Sequence, residues 1–198
     1  MEKLRNAMRE VQGEARFEHT LGVAYTAACL GMVYGVDSQK TLTAGLLHDC
    51  AKCLDSKEML RLCEKYAIEV SELERRNPFL LHAKVGAKLA QDVYGQSDED
   101  ILNAIKYHTT GRENMSMLEK IIFVADYIEP GRNKAPNLEE IRKIAFIDID
   151  SAIVKILQDT LLYLEKSGSE IDPATSNTLK YYNDAMVKSH KTRYPNIE

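Results

Sequence analysis

His48 and Asp49 are adjacent in this 198-residue chain, and their side-chain types are those that hold transition metals. Four further residues of the same two types stand where apolar neighbours would turn them inward. His19 lies three residues after Arg16 and four before Val23, so all three share one helical face. His48 closes the apolar run 44–47, and His82 faces Val85 and Gly86. His108 continues the stripe Ile101, Ala104, Ile105, and Asp126 continues Ile122 and Phe123. A buried carboxylate without a partner costs several kcal/mol, and a buried imidazole needs a partner too. One hydrogen-bonded core histidine is ordinary. Four histidines and two aspartates facing inward are satisfied together by a shared cation. On a helix His48 and Asp49 diverge by about 100°, so they meet only on an ion lying between their directions. Asp49 could bridge two ions, as an imidazole cannot. Imidazole with carboxylate favours iron, manganese or zinc over calcium or magnesium. The fifth histidine, His190, lies beside Lys188 and Lys191 and is expected to be solvated.

Such a centre suits phosphoryl chemistry. Cations lower the pKa of water toward neutrality and stabilise charge on phosphoryl oxygens. Three basic residues stand near the inward set. Lys52 lies one helical turn past His48, Arg16 shares the His19 face, and Arg132 follows Pro130-Gly131, a turn that could aim it back at Asp126. Arginine suits bidentate phosphate contact. Thr109, Thr110 and Gly111 after His108 are either phosphate donors or a plain helix stop. His82 and His108 either donate a proton to a leaving group or orient phosphate.

The elements that must position these residues are helical throughout. Nearly every segment carries the 3.6-residue period and none alternates with period two. Helices are expected over about 16–34, ended by Gly35, and over 38–52, capped by Ser38. Asp55 and Glu58 match a capping box for a helix to about residue 67. Pro78 suits the first turn of a helix to about residue 94. Others should run from Ser97 to about 109 and from Ser116 to near 129, where Pro130 stops it. Asn137 with Glu140 should cap a short helix. The last two should span about 148–166, ended by Gly168, and 174–190. The expectation is an all-α bundle forming a single domain over 1–198, with a motif-bearing core at about 16–132 and a helical part at about 137–190. The apolar stripe of 148–166 is either core or a homodimer interface.

Composition narrows the classes. Apolar residues make up 44 % and charged residues 28 %, which fits a folded domain. A net charge of −4 lacks the basic field a nucleic-acid binder needs. The N-terminal residues show no secretory signal and no run is long enough to span a membrane, so the chain is expected to be cytoplasmic, without a membrane partner. Of the four cysteines, Cys50 and Cys53 form a lone C-x-x-C, read as ordinary thiols in a reducing compartment.

Five ordered strings carry a resemblance. They are Arg16-Phe-Glu-His-Thr20, Gly45-Leu-Leu-His-Asp-Cys-Ala-Lys52, Leu81-His-Ala-Lys-Val-Gly86, Tyr107-His-Thr-Thr-Gly-Arg112 and Ala125-Asp-Tyr-Ile-Glu-Pro-Gly-Arg132. Together they resemble the HD-domain superfamily of metal-dependent phosphohydrolases, and most closely its bacterial YqeK-type branch. That resemblance implies an HD-type helical bundle that hydrolyses diadenosine tetraphosphate symmetrically to two ADP at a di-iron centre. It implies His19, His48, Asp49 and Asp126 as metal ligands, with His19, Asp49 and Asp126 also near the bound nucleotide. His82 and His108 would lie beside the second metal and the phosphates as catalytic residues, with Lys52. Arg16, Lys52 and Arg132 would hold phosphate oxygens. Another HD-type nucleotide phosphohydrolase or phosphodiesterase, or a non-catalytic nucleotide-binding regulator, would carry the same ligands.

Overall fold

The computed structural model describes the backbone of residues 1–193 and the side chains of residues 1–187. Among the described residues there are eleven α-helices and no strand. In chain order they are α1 (Glu2–Val11), α2 (Glu14–Tyr34), α3 (Ser38–Leu47), α4 (Ser56–Lys65), α5 (Glu72–Arg76), α6 (His82–Asp92), α7 (Glu99–Tyr107), α8 (Met117–Ile128), α9 (Leu138–Ala145), α10 (Ile149–Ser167) and α11 (Pro173–Arg193). The all-α expectation holds. No helix among the described residues is long and apolar enough to cross a membrane.

The helices that carry the inward residues pack on one another. α2 lies against α3 and α8, α7 against α3, α6 and α8, and α10 covers the far side of α8. The α2–α3 contact is close because Gly45 has no side chain. A Cβ there would stand 2.6 Å from the Ala24 Cα, so any larger residue would push the two helices apart. Gly45 thereby brings His48, three residues on, toward His19. Ile153 and Leu157 of α10 are buried in the main core cluster, which settles that part of its stripe as core.

Several boundaries differ from expectation, each for a local reason. α3 is capped by Asp37, which accepts from the Gln39 and Lys40 amides, rather than by Ser38. It stops at Leu47, not near Lys52, and tight turns follow, with Cys50 N–H donating to Leu47 O and Lys52 N–H to Asp49 O. Pro78 opens a 3-10 turn over Pro78–Leu81, and α6 begins only at His82. α7 opens within the expected stretch, capped by Asp98, the acid after Ser97. Asn137 does not cap α9: it sits at φ 55 and its amide donates to Asp159, while Glu140 pairs with Lys155. Half of the Asp55–Glu58 box forms, because the Glu58 carboxylate is bound by Arg61. Two helices were not anticipated, α1 and the short α5, although Ser71 and Glu74 make a complete capping box for the latter. Gly35, Gly168, Ser116 and Asp148 act as expected at their helix ends. The His190 side chain lies outside the described residues.

Candidate metal centre

His19, His48, Asp49, His82, His108 and Asp126 come together in one cluster. Only His19 and Asp126 sit in helix interiors. His48 follows the last residue of α3, His108 the last residue of α7, and His82 stands where the 3-10 turn meets α6. The expectation that all six lie on inward helix faces is corrected in this respect. Three of the histidines belong to element ends. The ends explain their orientation. The Nδ1 of His48, His82 and His108 lies 2.7 Å from the carbonyls of Gly45, Phe79 and Ile105, each three residues earlier. For His48 and His108 these are last-turn carbonyls that the helix leaves without a partner. Each such bond fixes the proton on Nδ1 and leaves the Nε2 lone pair free for a metal.

The free nitrogens converge on Asp49. Its Oδ2 lies 3.6 Å from His48 Nε2 and 4.0 Å from His19 Nε2. Its Oδ1 lies 3.4 Å from His82 Nε2 and 3.5 Å from His108 Nε2. Asp126 Oδ1 completes the first side at 3.1 Å from His19 Nε2 and 3.9 Å from His48 Nε2. Two sets satisfy metal-ligand spacing, His19 with His48 and Asp126, and His48 with Asp49 and His108. His19 Nε2, His48 Nε2 and Asp49 Oδ1 are buried without a hydrogen-bond partner. Three orphaned ligand atoms aimed at one centre fit a cation and little else. This donor set fits a divalent metal.

The electrostatics agree. Burial would raise the carboxyl pKa of Asp49, but His48, His108 and Lys52 outweigh it and hold it far below the usual range. Asp126 is held down likewise, with His19 and His48 outweighing its burial. Burial pushes the His48 pKa below its ordinary value. Burial, His108 and Lys52 together push that of His82 down to about 3. In His108 burial is overcome by Asp49 and Asp126, and the pKa rises.

The expected basic residues ring the centre. Arg16 Nη1 lies 2.8 Å from Asp49 Oδ2. Arg132 Nη2 lies 2.8 Å from Asp126 Oδ1, while its Nε donates to the Asp126 carbonyl. Lys52 Nζ lies 3.0 Å from His82 Nε2, a partner not anticipated; the end of α3 at Leu47 takes it off the His48 face. A cavity of about 200 Å³ opens beside His108, Thr109, Asp126 and Arg132. A second of about 450 Å³ shares the Thr109 and Thr160 walls and reaches Phe79 and Leu164. Thr110 Oγ1 donates to the Gly111 carbonyl, and Gly111 ends the turn after α7 at φ +62. Gly111 thus ends the helical turn, while Thr109 lines both cavities and Thr110 the larger one.

Two residues next to the centre carried no expectation. Gln12 Nε2 donates to the Asp49 carbonyl. Glu129 is buried and its Oε1 lies 3.1 Å from His19 Nδ1. The only sequence signal for Glu129 was its place in the last of the five strings. The cysteines stay apart from the ligand sets among the described residues: all are free, Cys53 is exposed, and burial with Asp49 pushes the Cys50 thiol up to about 12. A thiol so held is a poor nucleophile.

A helical bundle with an adjacent His-Asp pair at its centre, flanked by further histidines and a distal aspartate, defines a class. Residues 16–131 match the HD domain family, and the chain belongs to it. It is 42 % identical over 175 residues to the symmetrical bis(5'-nucleosyl)-tetraphosphatase of Halalkalibacterium halodurans, covering 88 % of this chain and 91 % of that protein. It is 38 % identical over 192 residues to the Staphylococcus aureus protein of the same name, covering 95 % and 98 %. A crystal structure from Clostridium acetobutylicum, described as a predicted HD superfamily hydrolase involved in NAD metabolism, matches with a TM-score of 0.90 and 40 % identity, over 93 % of this chain and 97 % of its own.

Proposed function

We propose that this protein is a metal-dependent hydrolase that cleaves dinucleoside tetraphosphates symmetrically, diadenosine tetraphosphate giving two ADP. The observation that carries it is the placement of Asp49, each of whose carboxylate oxygens faces its own pair of histidines. The similarity to two named tetraphosphatases over most of their length supports the substrate class.

His19, His48, Asp49 and Asp126 would hold one metal, and Asp49 with His108 and His82 a second; two irons are the favoured pair, and manganese or zinc would fit the same donors. Bound divalent ions supply Lewis acidity toward phosphoryl oxygens and lower the pKa of water at the centre. The rest falls to the side chains. Arg16 and Arg132 each keep N–H donors beyond those bonded to Asp49 and Asp126. These are free to bind phosphate oxygens across the mouth and to align the chain of phosphates. Lys52 adds positive charge on the His82 side, where the leaving diphosphate gathers negative charge. His82 acts through its lone pair rather than as an acid, since its pKa of about 3 keeps it neutral near pH 7. The cavity beside Arg132 and the larger one past Thr109 offer room for a nucleoside.

The test is product analysis. Diadenosine tetraphosphate incubated with the metal-loaded protein should give ADP alone by nucleotide chromatography. AMP with ATP in equal amounts would refute symmetrical cleavage, and no turnover of any nucleotide would favour a non-catalytic binding role.

A further inference from the structure

Of the four clustered histidines, three take their Nδ1 partner from a backbone carbonyl three residues away, a partner that no side-chain change removes. His19 is different. Its Nδ1 partner is the carboxylate of Glu129, 110 residues distant in sequence. That carboxylate is buried, and among the described residues no lysine or arginine side chain pairs with it. A buried carboxylate with no lysine or arginine beside it is costly unless other donors satisfy both of its oxygens.

Both of its oxygens are committed. Oε1 faces His19 Nδ1, and Oε2 accepts from the Gly131 amide. Gly131 precedes Arg132, whose guanidinium reaches back to Asp126. The turn is pinned from its other side by Arg142, which donates to the carbonyls of Ile128, Glu129 and Arg132. One carboxylate therefore ties the His19 ring to the turn that aims Arg132. The opposite wall is equally specific. Gly22 lies three residues after His19 in α2, and a Cβ there would stand 2.5 Å from Glu129 Oε2 and 3.2 Å from its Cδ. Glycine is a poor residue for the middle of a 21-residue helix. Here it leaves the space that the carboxylate fills.

We propose that Glu129 is a positioning residue for the metal centre, seated by the bare backbone at Gly22, which orients His19 and couples it to the Arg132 turn. The inference rests on the reading of His19 as a metal ligand. The carboxylate fixes the imidazole proton on Nδ1 and makes Nε2 a stronger donor. An amide at position 129 cannot serve both neighbours. If its oxygen accepts from His19, its NH2 meets the Gly131 N–H; if it is flipped, it meets the His19 Nδ1–H.

The experiment uses the full chain, stripped of metal, with Mn²⁺ as the probe in calorimetric titration. Glu129→Gln, Gly22→Ala, the double variant and His19→Ala are compared with the parent, and helix content is followed by circular dichroism. Glu129→Gln should weaken Mn²⁺ binding about 10–100-fold with helix content unchanged. Gly22→Ala should weaken it in the same direction, although alanine favours helix. The double variant should bind no more weakly than the worse single one, because both substitutions displace the same carboxylate. Binding within about twofold of the parent in both single variants, while His19→Ala loses it, would overturn the positioning role and leave the metal reading intact. Simple additivity in the double variant would overturn the Gly22 coupling. Full binding in His19→Ala would overturn the ligand reading itself, and the proposal with it. Should Glu129→Gln fail to fold, Gly22→Ala decides alone: parent-like binding overturns the proposal and weakened binding supports it.

Discussion

The two sides of Asp49 differ in charge. On the Oδ2 side stand His19, His48 and the second carboxylate, Asp126, with Arg16 and Arg132 bound to the carboxylates from outside. On the Oδ1 side stand His82 and His108, with no second carboxylate among the described residues and with the Lys52 ammonium 3.0 Å from His82 Nε2. The first side would bring a whole carboxylate, Asp126, and one oxygen of Asp49 to a cation. The second would bring only the other oxygen of Asp49, and a positive charge competes for one of its lone pairs. In a partly buried site such differences are not screened as they are at a surface. On the proposed reading, the Oδ2 side would retain a metal and the Oδ1 side would hold one more loosely, near where phosphate charge has to be met.

The largest expected effect comes from attacking the tight side. His48→Ala should lose metal and activity together, beyond the ~10–100-fold that follows from removing a supporting residue. Elemental analysis showing the parent's metal content would break the comparison. On the other side His108→Ala should keep one firmly held metal yet lower kcat by about 10²–10⁴-fold; an unchanged kcat would show that the Oδ1 side takes no part in turnover. A smaller effect sharpens the comparison in the metal-free protein. His82 titrates at about 3 in the folded chain, against about 6.5 when unfolded. Between those values the unfolded chain binds a proton that the folded chain refuses, so stability is present above about 6.5 and falls as the pH drops toward 3. Metal-free His82→Gln should show a shallower loss of unfolding midpoint on acidification from about pH 6 to 4, by up to one proton of slope. An equal slope would mean that the folded chain does not hold His82 neutral.

The helical architecture was legible in the sequence wherever a period and a stop signal coincided, as at Gly35, Ser116, Asp148 and Gly168. It was less legible where a helix ended without a glycine or proline to mark the stop. α3 ends at Leu47, where the His48 ring takes the Gly45 carbonyl three residues back and tight turns follow. Five of the six clustered residues could be found because apolar neighbours marked them as inward, and Asp49 because it follows His48. Their supports could not be found that way. Gln12 and Glu129 act on residues 37 and 110 positions away, and sequence spacing carries no such information. The Lys52–His82 contact depends in the same way on how the turn after α3 meets the start of α6.

The central claim is that one carboxylate serves two unequal metal positions. It is tested most directly by titrating metal-free parent protein with Mn²⁺ in a calorimeter. Two binding events of unequal affinity are predicted, the tighter one abolished in His48→Ala and kept in His108→Ala. A single event, or two that survive His48→Ala unchanged, would contradict it.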